Sequence, residues 1–515
     1  MMPIFSVPWQ RFIRFALILA LLPVSTFAGD WPFWGRDTSR NMVSPETNIP
    51  AEFSPGRFKP NSEEVDLSTT MNVKWTAKVG SETFGNVTVA GGKVFIGTNN
   101  ESPRNSKLKG DRGVVQCYDE KTGAFLWQLT VPKLGAGKVS DWEYLGVCSS
   151  PAVEDGRVYI VTNRCEVVCL DVEGLRNGND GPFTDEALFA GGEGQPPIET
   201  GDHDADILWR FDMREELGVF PHNITSSSVL IVGDRLYATT SNGQDWSHLN
   251  IPSPFAPTLV CLDKRTGTLL GEEALGISQR LYHCNWSSPA YGEVNGKGMV
   301  IFGAGDGFCY GLDPVPVSGE DGLIVFKEFW KFDCIPAEYK TYKYPDPRGP
   351  SEVIATPVFY NNRVYAAIGQ DPEHGDGVGN LVCIDASKTG DTTAAGSVWS
   401  FRDIGRTIST VSIQDGLLYA GSYRGIVYCL DAETGKLYWQ HDTKSHIWGS
   451  TLVVDGKVFI GNEDGYLTVL AAGKEKKMLG EIDFGAAIFS TPVVANGTLY
   501  VGTQTHLYAI AGKSR

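Results

Sequence analysis

Positive charge is scarce in this chain: 44 lysines and arginines stand against 61 aspartates and glutamates, a net charge of −17. That deficit excludes a nucleic-acid partner, whose phosphates demand a basic surface. Long apolar runs are almost missing as well. The one candidate, FALILALLPV, follows Arg11 and Arg14 and precedes Thr26-Phe27-Ala28, which fits a small-residue cleavage site. The run is short for a membrane span and reads as an export signal over residues 1–28, with an uncleaved anchor as the alternative. No Cys follows the cleavage point to carry a lipid. The expectation is an exported chain, periplasmic or extracellular, with no transmembrane segment once mature. The chain also lacks CxxCH, GxSxG, HExxH and GxxxxGK[ST]. Covalent c-type haem, the nucleophile elbow, the zinc-protease helix and the P-loop lose their usual signals.

What the chain has in abundance is a hairpin signal, written eight times. The turns are Gly91-Gly92, Asp155-Gly156, Gly233-Asp234, Asn295-Gly296, Asn361-Asn362, Asp415-Gly416, Asp455-Gly456 and Asn496-Gly497. Gly, Asn and Asp tolerate the positive φ of type I′ and II′ turns. Near-formulaic strands follow, among them RVYIVTN, RLYATTS, KVFIGNE and TLYVGTQ. A repeat of about 40 residues with several strands per unit marks a β-propeller.

Most units continue into a third strand ending near Leu-Asp, a turn, and a fourth strand carrying Trp, as in VYCLDAETGKLYWQ from Val427 to Gln440. Asp431 can cap that turn, Gly435 can take the left-handed conformation, and Trp439 can pack between neighbouring sheets. Trp127, Trp209, Trp330 and Trp399 hold the same place. The last unit stops one strand short. NVKWTAKV, Asn72 to Val79, has no partner of its own and carries Trp75. The expected fold is therefore all-β: an eight-bladed β-propeller of four-stranded antiparallel blades over residues 72–515, its ring closed by the strand at about 72–79. Two separate smaller β domains are the alternative, and no linker divides the repeats to favour them. Residues 29–71 form an N-terminal extension whose Trp31 and Trp34 are expected to pin it onto the propeller.

Ten cysteines in an exported chain suggest disulfides. Yet Cys117, Cys169, Cys261, Cys383 and Cys429 share one slot in the third strand, and Gly311 fills it in the fourth unit. A slot that takes Cys or Gly is a tight place for a small residue, and equivalent slots in different blades lie too far apart to bridge. Cys148, Cys165, Cys284, Cys309 and Cys334 leave one pairing open.

A propeller has two faces. His222, His283 and His446 fall in loops between blades, and His248 and His374 in loops between second and third strands, which share a face. Trp142, Tyr144, Trp246, Tyr282, Trp286, Tyr339, Tyr342, Tyr344 and Trp448 join them. Binding groups concentrate on loops held by a rigid scaffold, so this loop-rich face is the expected working face for a protein partner or small ligand. The bland alternative is that its aromatics only fill the end of the channel. Two loops carry clustered polar groups. GQDPEHGDG gathers Asp371, Glu373 and His374, which could ligate a metal. DHDAD, Asp202 to Asp206, lacks the Gly and distal Glu of an EF-hand and reads as a solvated loop.

The AETGKLYW and EKTGAFLW motifs resemble the repeats of the quinoprotein alcohol dehydrogenase-like propellers, the pyrroloquinoline quinone (PQQ) repeat family. The likeness extends over nearly all of the chain after Asn72. It implies the eight-bladed fold. It also implies one of two activities, since the repeat occurs both in PQQ-dependent dehydrogenases and in non-enzymatic propellers such as the lipoprotein that assists outer-membrane protein assembly. In the dehydrogenases PQQ lies over the channel beside a calcium ion. SNGQDW, Ser241 to Trp246, is similar to the segment that supplies a calcium-ligating Asn there, which carries that role to Asn242. Around such a cofactor the expected contacts are Asn242, Trp246, His283, Trp286, Arg406 and Trp448. The adjacent-cysteine pair and the Gly-Asp-Asn-Leu segment have no counterpart, and PSPFAPTLV stands in place of the latter. The leading expectation is a binding or assembly scaffold. The second is a divergent PQQ- and calcium-dependent alcohol dehydrogenase, and the third an enzyme of another kind built on the histidine-rich rim.

Overall fold

The computed structural model describes Met1 and residues 29–319 and 322–512, so the expected export signal lies outside the described residues. Eight antiparallel four-stranded blades form the ring, and three of them carry short extra strands at an edge. Blade 1 covers residues 88–132, blade 2 152–212, blade 3 230–272, blade 4 290–333, blade 5 358–401, blade 6 412–442 and blade 7 452–483. Blade 8 consists of Val493–Ala495, Thr498–Gly502 and His506–Ala511, and its fourth strand is Val73–Lys78 from the other end of the chain. The closing strand pairs antiparallel, with Trp75 opposite Ala509 and Lys78 opposite His506. The ring is closed as the unpartnered Trp-bearing segment predicts. Among the described residues, no helix is long and apolar enough to cross a membrane.

Turn chemistry sets the blade geometry. Seven of the eight hairpin turns have positive φ at both central residues, as at Asp415 (52°) and Gly416 (74°); the eighth has it at Gly233 alone (60°). These are the I′ and II′ signatures whose twist matches the flanking strands.

Tryptophan joins blade to blade. The indole N–H of Trp75 donates to the Glu120 carbonyl (2.9 Å), that of Trp127 to Val172 (3.1 Å), of Trp209 to Lys264 (3.2 Å), of Trp399 to Ala432 (2.9 Å) and of Trp439 to Gly473 (2.8 Å). Each acceptor lies in or beside the turn after the third strand of the next blade. The Gly of that turn, as in AETG, is fixed twice. Gly435 has φ 70°, and a Cβ on it would fall 2.7 Å from the Trp399 ring. Gly123 stands in the same relation to Trp75 and Gly267 to Trp209. Asp431 caps the turn through the N–H groups of Glu433 and Thr434.

The same tryptophans explain the cysteine slot. Cys117, Cys169, Cys383 and Cys429 lie directly opposite Trp127, Trp209, Trp399 and Trp439 on the neighbouring strand. In blade 4 a Cβ on Gly311 would meet the Trp330 Nε1 at 2.2 Å. The register slips just after this position in every blade, which ends the room for a larger side chain. All ten cysteines are free thiols, nine of them buried.

Two rings of hydrogen bonds tie the inner edges of the blades. Around the channel the first residues of each inner strand reach to the next blade. Ser150 N–H donates to Ser228 Oγ, Ser228 N–H to Ser288 Oγ, Thr356 N–H to Thr410 Oγ1, Thr410 N–H to Ser450 Oγ, Ser450 N–H to Thr491 Oγ1 and Thr491 N–H to Asn86 Oδ1. Asn86 Nδ2 completes the circuit to Ser150 Oγ at 3.3 Å. At the junction of blades 4 and 5 the hydroxyl of Thr356 instead accepts from the indole of Trp34 (3.1 Å).

Trp34 belongs to the second ring. Residues 29–44 run as a strap around the end opposite the long loops, bonding each blade in turn. Trp31 pairs with Val89, Pro32 accepts from Val153 N–H, Thr38 from Tyr291 N–H, Ser39 from Phe359 N–H and Met42 from Val453 N–H; Asn41 exchanges bonds with Ile413 and Gly29 accepts from Asn496 N–H. Arg40 reaches blades 3 and 4. Fully buried, its guanidinium donates to the carbonyls of Trp34, Pro289 and Val229. Burial pushes its pKa down to about 9, with Asp37 opposing. The strap thus binds all eight blades at this end of the channel.

Two stability changes follow, both readable by thermal or urea unfolding. Gly435→Ala is expected to cost about 2 kcal/mol or more, from backbone strain and the Trp399 contact together. Arg40→Ala is expected to cost about 3 kcal/mol, because three buried carbonyls lose their donor.

Candidate functional site

With Trp34 of the strap at its base, the channel holds a cup of about 490 Å³ whose wall reaches the long loops. Aromatic residues stand around the mouth. Phe84 and Phe489 stack at 4.7 Å, and Trp448 meets both edge-on at 5.6 and 5.5 Å. Trp142 and Trp286 face in from blades 2 and 4, and Trp34 lies at the base. The charged residues of the wall are Glu82, Asp371 and Glu373, with no lysine or arginine among them. The Glu82 carboxyl is pushed up by burial, and it accepts from Gln504 Nε2 (2.6 Å). Just above, Lys138 Nζ sits 4.2 Å from the centre of the Trp142 ring.

Beside the cup, on the blade 3–5 side, four histidines converge. His222 comes from the loop into blade 3, His248 from the loop between the second and third strands of that blade, His283 from the loop into blade 4, and His374 from the corresponding loop of blade 5. One ring nitrogen from each of His222, His248 and His283 lies within 4.8 Å of the others, and all three residues are buried. Nε2 of His222 and of His283 are 2.7 Å apart. The His374 ring lies 4.4 Å from that of His248 and 4.6 Å from that of His283, centre to centre. Two outer bonds orient the rings: His222 Nδ1 to the Gln244 carbonyl (2.5 Å) and His374 Nδ1 to Asp371 Oδ1 (3.2 Å). Neither ring nitrogen of His248 has a hydrogen-bond partner of good geometry, the Trp246 backbone being the group that acts on the ring, and its backbone is left-handed at φ 56°.

Burial is the main cause that lowers the pKa of each of the three inner imidazoles. His222 falls to about 4, with the Gln244 carbonyl opposing. His283 falls well below its ordinary value, with His222 as the next cause. His248 is lowered, with His374 next. At neutral pH these rings are uncharged and carry lone pairs. Under them Glu352 is fully buried; one carboxylate oxygen accepts from Cys284 N–H (3.3 Å) and the other has no partner, and burial raises its pKa well above the carboxylate range.

The residues singled out in the sequence divide into three groups. His283, Trp286 and His374 belong to this cluster, and Trp246 flanks His248 at 6.2 Å while being more than half exposed. Trp448, Asp371 and Glu373 belong to the cup. Asp371, Glu373 and His374 therefore do not form one ligand set: Glu373 is exposed, Asp371 supports His374, and His374 points to histidines from other blades. Asn242 and Arg406 serve the scaffold. The fully buried Asn242 accepts from Phe220 N–H (2.9 Å) and donates to Ser253 O and Ser278 Oγ (2.9 Å each), which occupies the carboxamide. The Arg406 guanidinium lies over Tyr423 at 4.0 Å and donates to the Gly375 carbonyl, holding the His374 loop down. His446 stands apart, stacked on Tyr423 at 4.5 Å. Phe84 and Phe489 were not marked by the sequence. Their signal was positional, since each precedes the inner strand of its blade.

Known proteins place this architecture. The chain is 29% identical over 136 residues to the quinohemoprotein alcohol dehydrogenase ADH-IIG of Pseudomonas putida, a match covering 23% of this chain and 19% of that protein. BamB from Moraxella catarrhalis superposes with a TM-score of 0.51 at 12% identity, over 86% of this chain and 98% of that one. A europium-containing methanol dehydrogenase superposes with a TM-score of 0.56 at 12% identity, over 92% and 89%. At such identities the two structures show a shared fold alone. A family model described as outer membrane protein assembly factor BamB matches residues 72–281 and 393–477, over half of the sequence, and the chain belongs to that family of PQQ-repeat propellers.

Proposed function

We propose that this chain is an exported binding propeller that takes a small organic cation into the cup of its loop-rich face. The observation that carries the reading is the wall itself: three tryptophans and two phenylalanines at and around the mouth with three carboxylates and no basic side chain. Indole faces attract ammonium and guanidinium groups, and a desolvated cup strengthens the attraction. The chain's own Lys138 already rests on Trp142 in this way. A volume of about 490 Å³ suits a small molecule and has Trp34 of the strap at its base. Membership in a family described as an assembly factor favours binding over catalysis, and the internal bonds of Asn242 leave its oxygen little to offer a calcium ion.

Titration of the full chain with spermidine and with tetramethylammonium, followed by tryptophan fluorescence and calorimetry, is expected to show saturable binding that weakens with salt. Trp448→Ala and Glu373→Gln are each expected to weaken it about tenfold, of the order of one cation–π or ion contact. Preferential binding of a neutral sugar would overturn the cation assignment. Co-elution of added PQQ with Ca²⁺, together with alcohol-dependent dye reduction, would replace this reading with the dehydrogenase one.

A further inference from the structure

We infer that His222, His248, His283 and His374 form a binding site for one divalent first-row transition-metal ion. This goes beyond the cation cup and does not depend on it. The residues come from four loops of three blades, separated by up to 152 positions, yet their imidazoles meet edge to face at centre distances of 4.4 to 5.0 Å. A protein core gains little by gathering three buried imidazoles with a fourth, half-buried one against them, since each nitrogen removed from water needs a partner. His248 has none of good geometry on either nitrogen, with only the Trp246 backbone acting weakly on the ring, although the residue is just 8% exposed. A metal ion would supply that partner.

The outer bonds fit the same purpose. A ligating histidine characteristically donates its second ring N–H to a carbonyl or carboxylate, which fixes the tautomer and aims the free nitrogen at the ion. His222 does so with Gln244 and His374 with Asp371. With Nδ1 protonated, the Nε2 lone pair of His222 is the one turned toward His283, whereas His374, whose nitrogens lie outside the group formed by the inner three, would bring its Nε2 in by a turn of its ring. Nitrogens bound to a tetrahedral ion at about 2.1 Å lie about 3.4 Å apart. The inner three lie within 4.8 Å of one another, and an ion between them would open the 2.7 Å hydrogen bond joining His222 and His283 to that separation by small ring rotations. The left-handed backbone of His248 is held strain at the cluster, a cost that a positioned ligand offsets.

The donor set selects the ion. Neutral imidazoles without thiolate or convergent carboxylates suit Zn²⁺, Cu²⁺, Fe²⁺ or Ni²⁺ and disfavour Ca²⁺ and Mg²⁺, which take oxygen. Cys284 is the nearest thiol by sequence, but its Sγ turns to the Ser241 carbonyl (3.1 Å). The ion would lie just behind the cup wall, because Asp371 lines the cup while holding His374, and Trp286 packs on His283 at 4.9 Å.

The test uses the full chain purified without a histidine tag, stripped with chelator and reloaded with Zn²⁺ or Co²⁺. Elemental analysis after dialysis is expected to find about one Zn²⁺ per chain, and Co²⁺ to show intense visible bands of a nitrogen-ligated, low-coordinate site. His248→Gln and His283→Gln are each expected to lower Zn²⁺ affinity by about 100-fold or more, and Asp371→Ala, acting through His374, by 10- to 100-fold. His446→Gln, on the same face but outside the cluster, is expected to bind as the wild type does. Wild-type Zn²⁺ affinity in folded His248→Gln and His283→Gln overturns the site. If either variant fails to fold, the wild-type Co²⁺ spectrum decides, and weak bands of an octahedral aquo ion overturn it. Spermidine binding by the stripped protein separates this outcome from the fate of the cup.

Discussion

One hydroxyl or amide per blade holds the inner edge of this ring together. A propeller blade is a twisted sheet whose inner strand faces a water-filled channel, and nothing in sheet hydrogen bonding joins it to its neighbour. Here the residues leading into six of the inner strands donate sideways through their N–H to a Ser, Thr or Asn of the next, and Asn86 does so through its side chain, each bond worth roughly 1 kcal/mol net. The circuit fixes the distance between blades at the channel wall, while the tryptophans fix it farther out. Loops that leave from this girdle start from fixed positions. That is why side chains as distant in sequence as His222 and His374 can meet to within a few ångströms.

The cup depends on the same constraint. Many of its wall residues stand just before the girdle, such as Trp286 before Ser288 and Trp448 before Ser450. Trp34 bonds the inner end of blade 5 at Thr356 and Arg40 that of blade 4 at the Pro289 carbonyl, and the two are joined to each other, so the strap spans the one junction the girdle omits. Base, wall and histidine cluster are thus not separate devices. A change in blade spacing would be felt in all three.

Much of this was legible in the sequence because it depends on local chemistry. Asn-Gly and Asp-Gly pairs announce hairpins whatever surrounds them, and they gave the blade count. Trp75 without a partner revealed the closing strand. The shared Cys slot announced a small space, and the structure shows its cause in the facing tryptophan. Loop position alone placed five histidines on one face. What sequence could not show is convergence. Asp371, Glu373 and His374 looked like a set because they are adjacent, yet a 3₁₀ turn over Pro372–His374 sends them to different neighbours. His222 and His248 carried no motif, since their common destination is set by the radius of the ring. Asn242 matched a ligand pattern by its neighbours in the chain, but burial turned its amide inward. The strap was legible only as an extension with anchoring tryptophans; its bonds use backbone groups and leave no residue code.

The closing strand has a consequence for how the molecule comes into being. Val73–Lys78 is made before any blade, but its partner, His506–Ala511, is made after all of them. Translation therefore cannot deliver a finished circle at any earlier moment. Until the last hairpin appears, Val73–Lys78 lacks the strand it pairs with, although Trp75 can already reach Glu120 in blade 1 and the strap can bond the inner strands of the blades as they form. Closure of the ring is thus reserved for the completed array of blades.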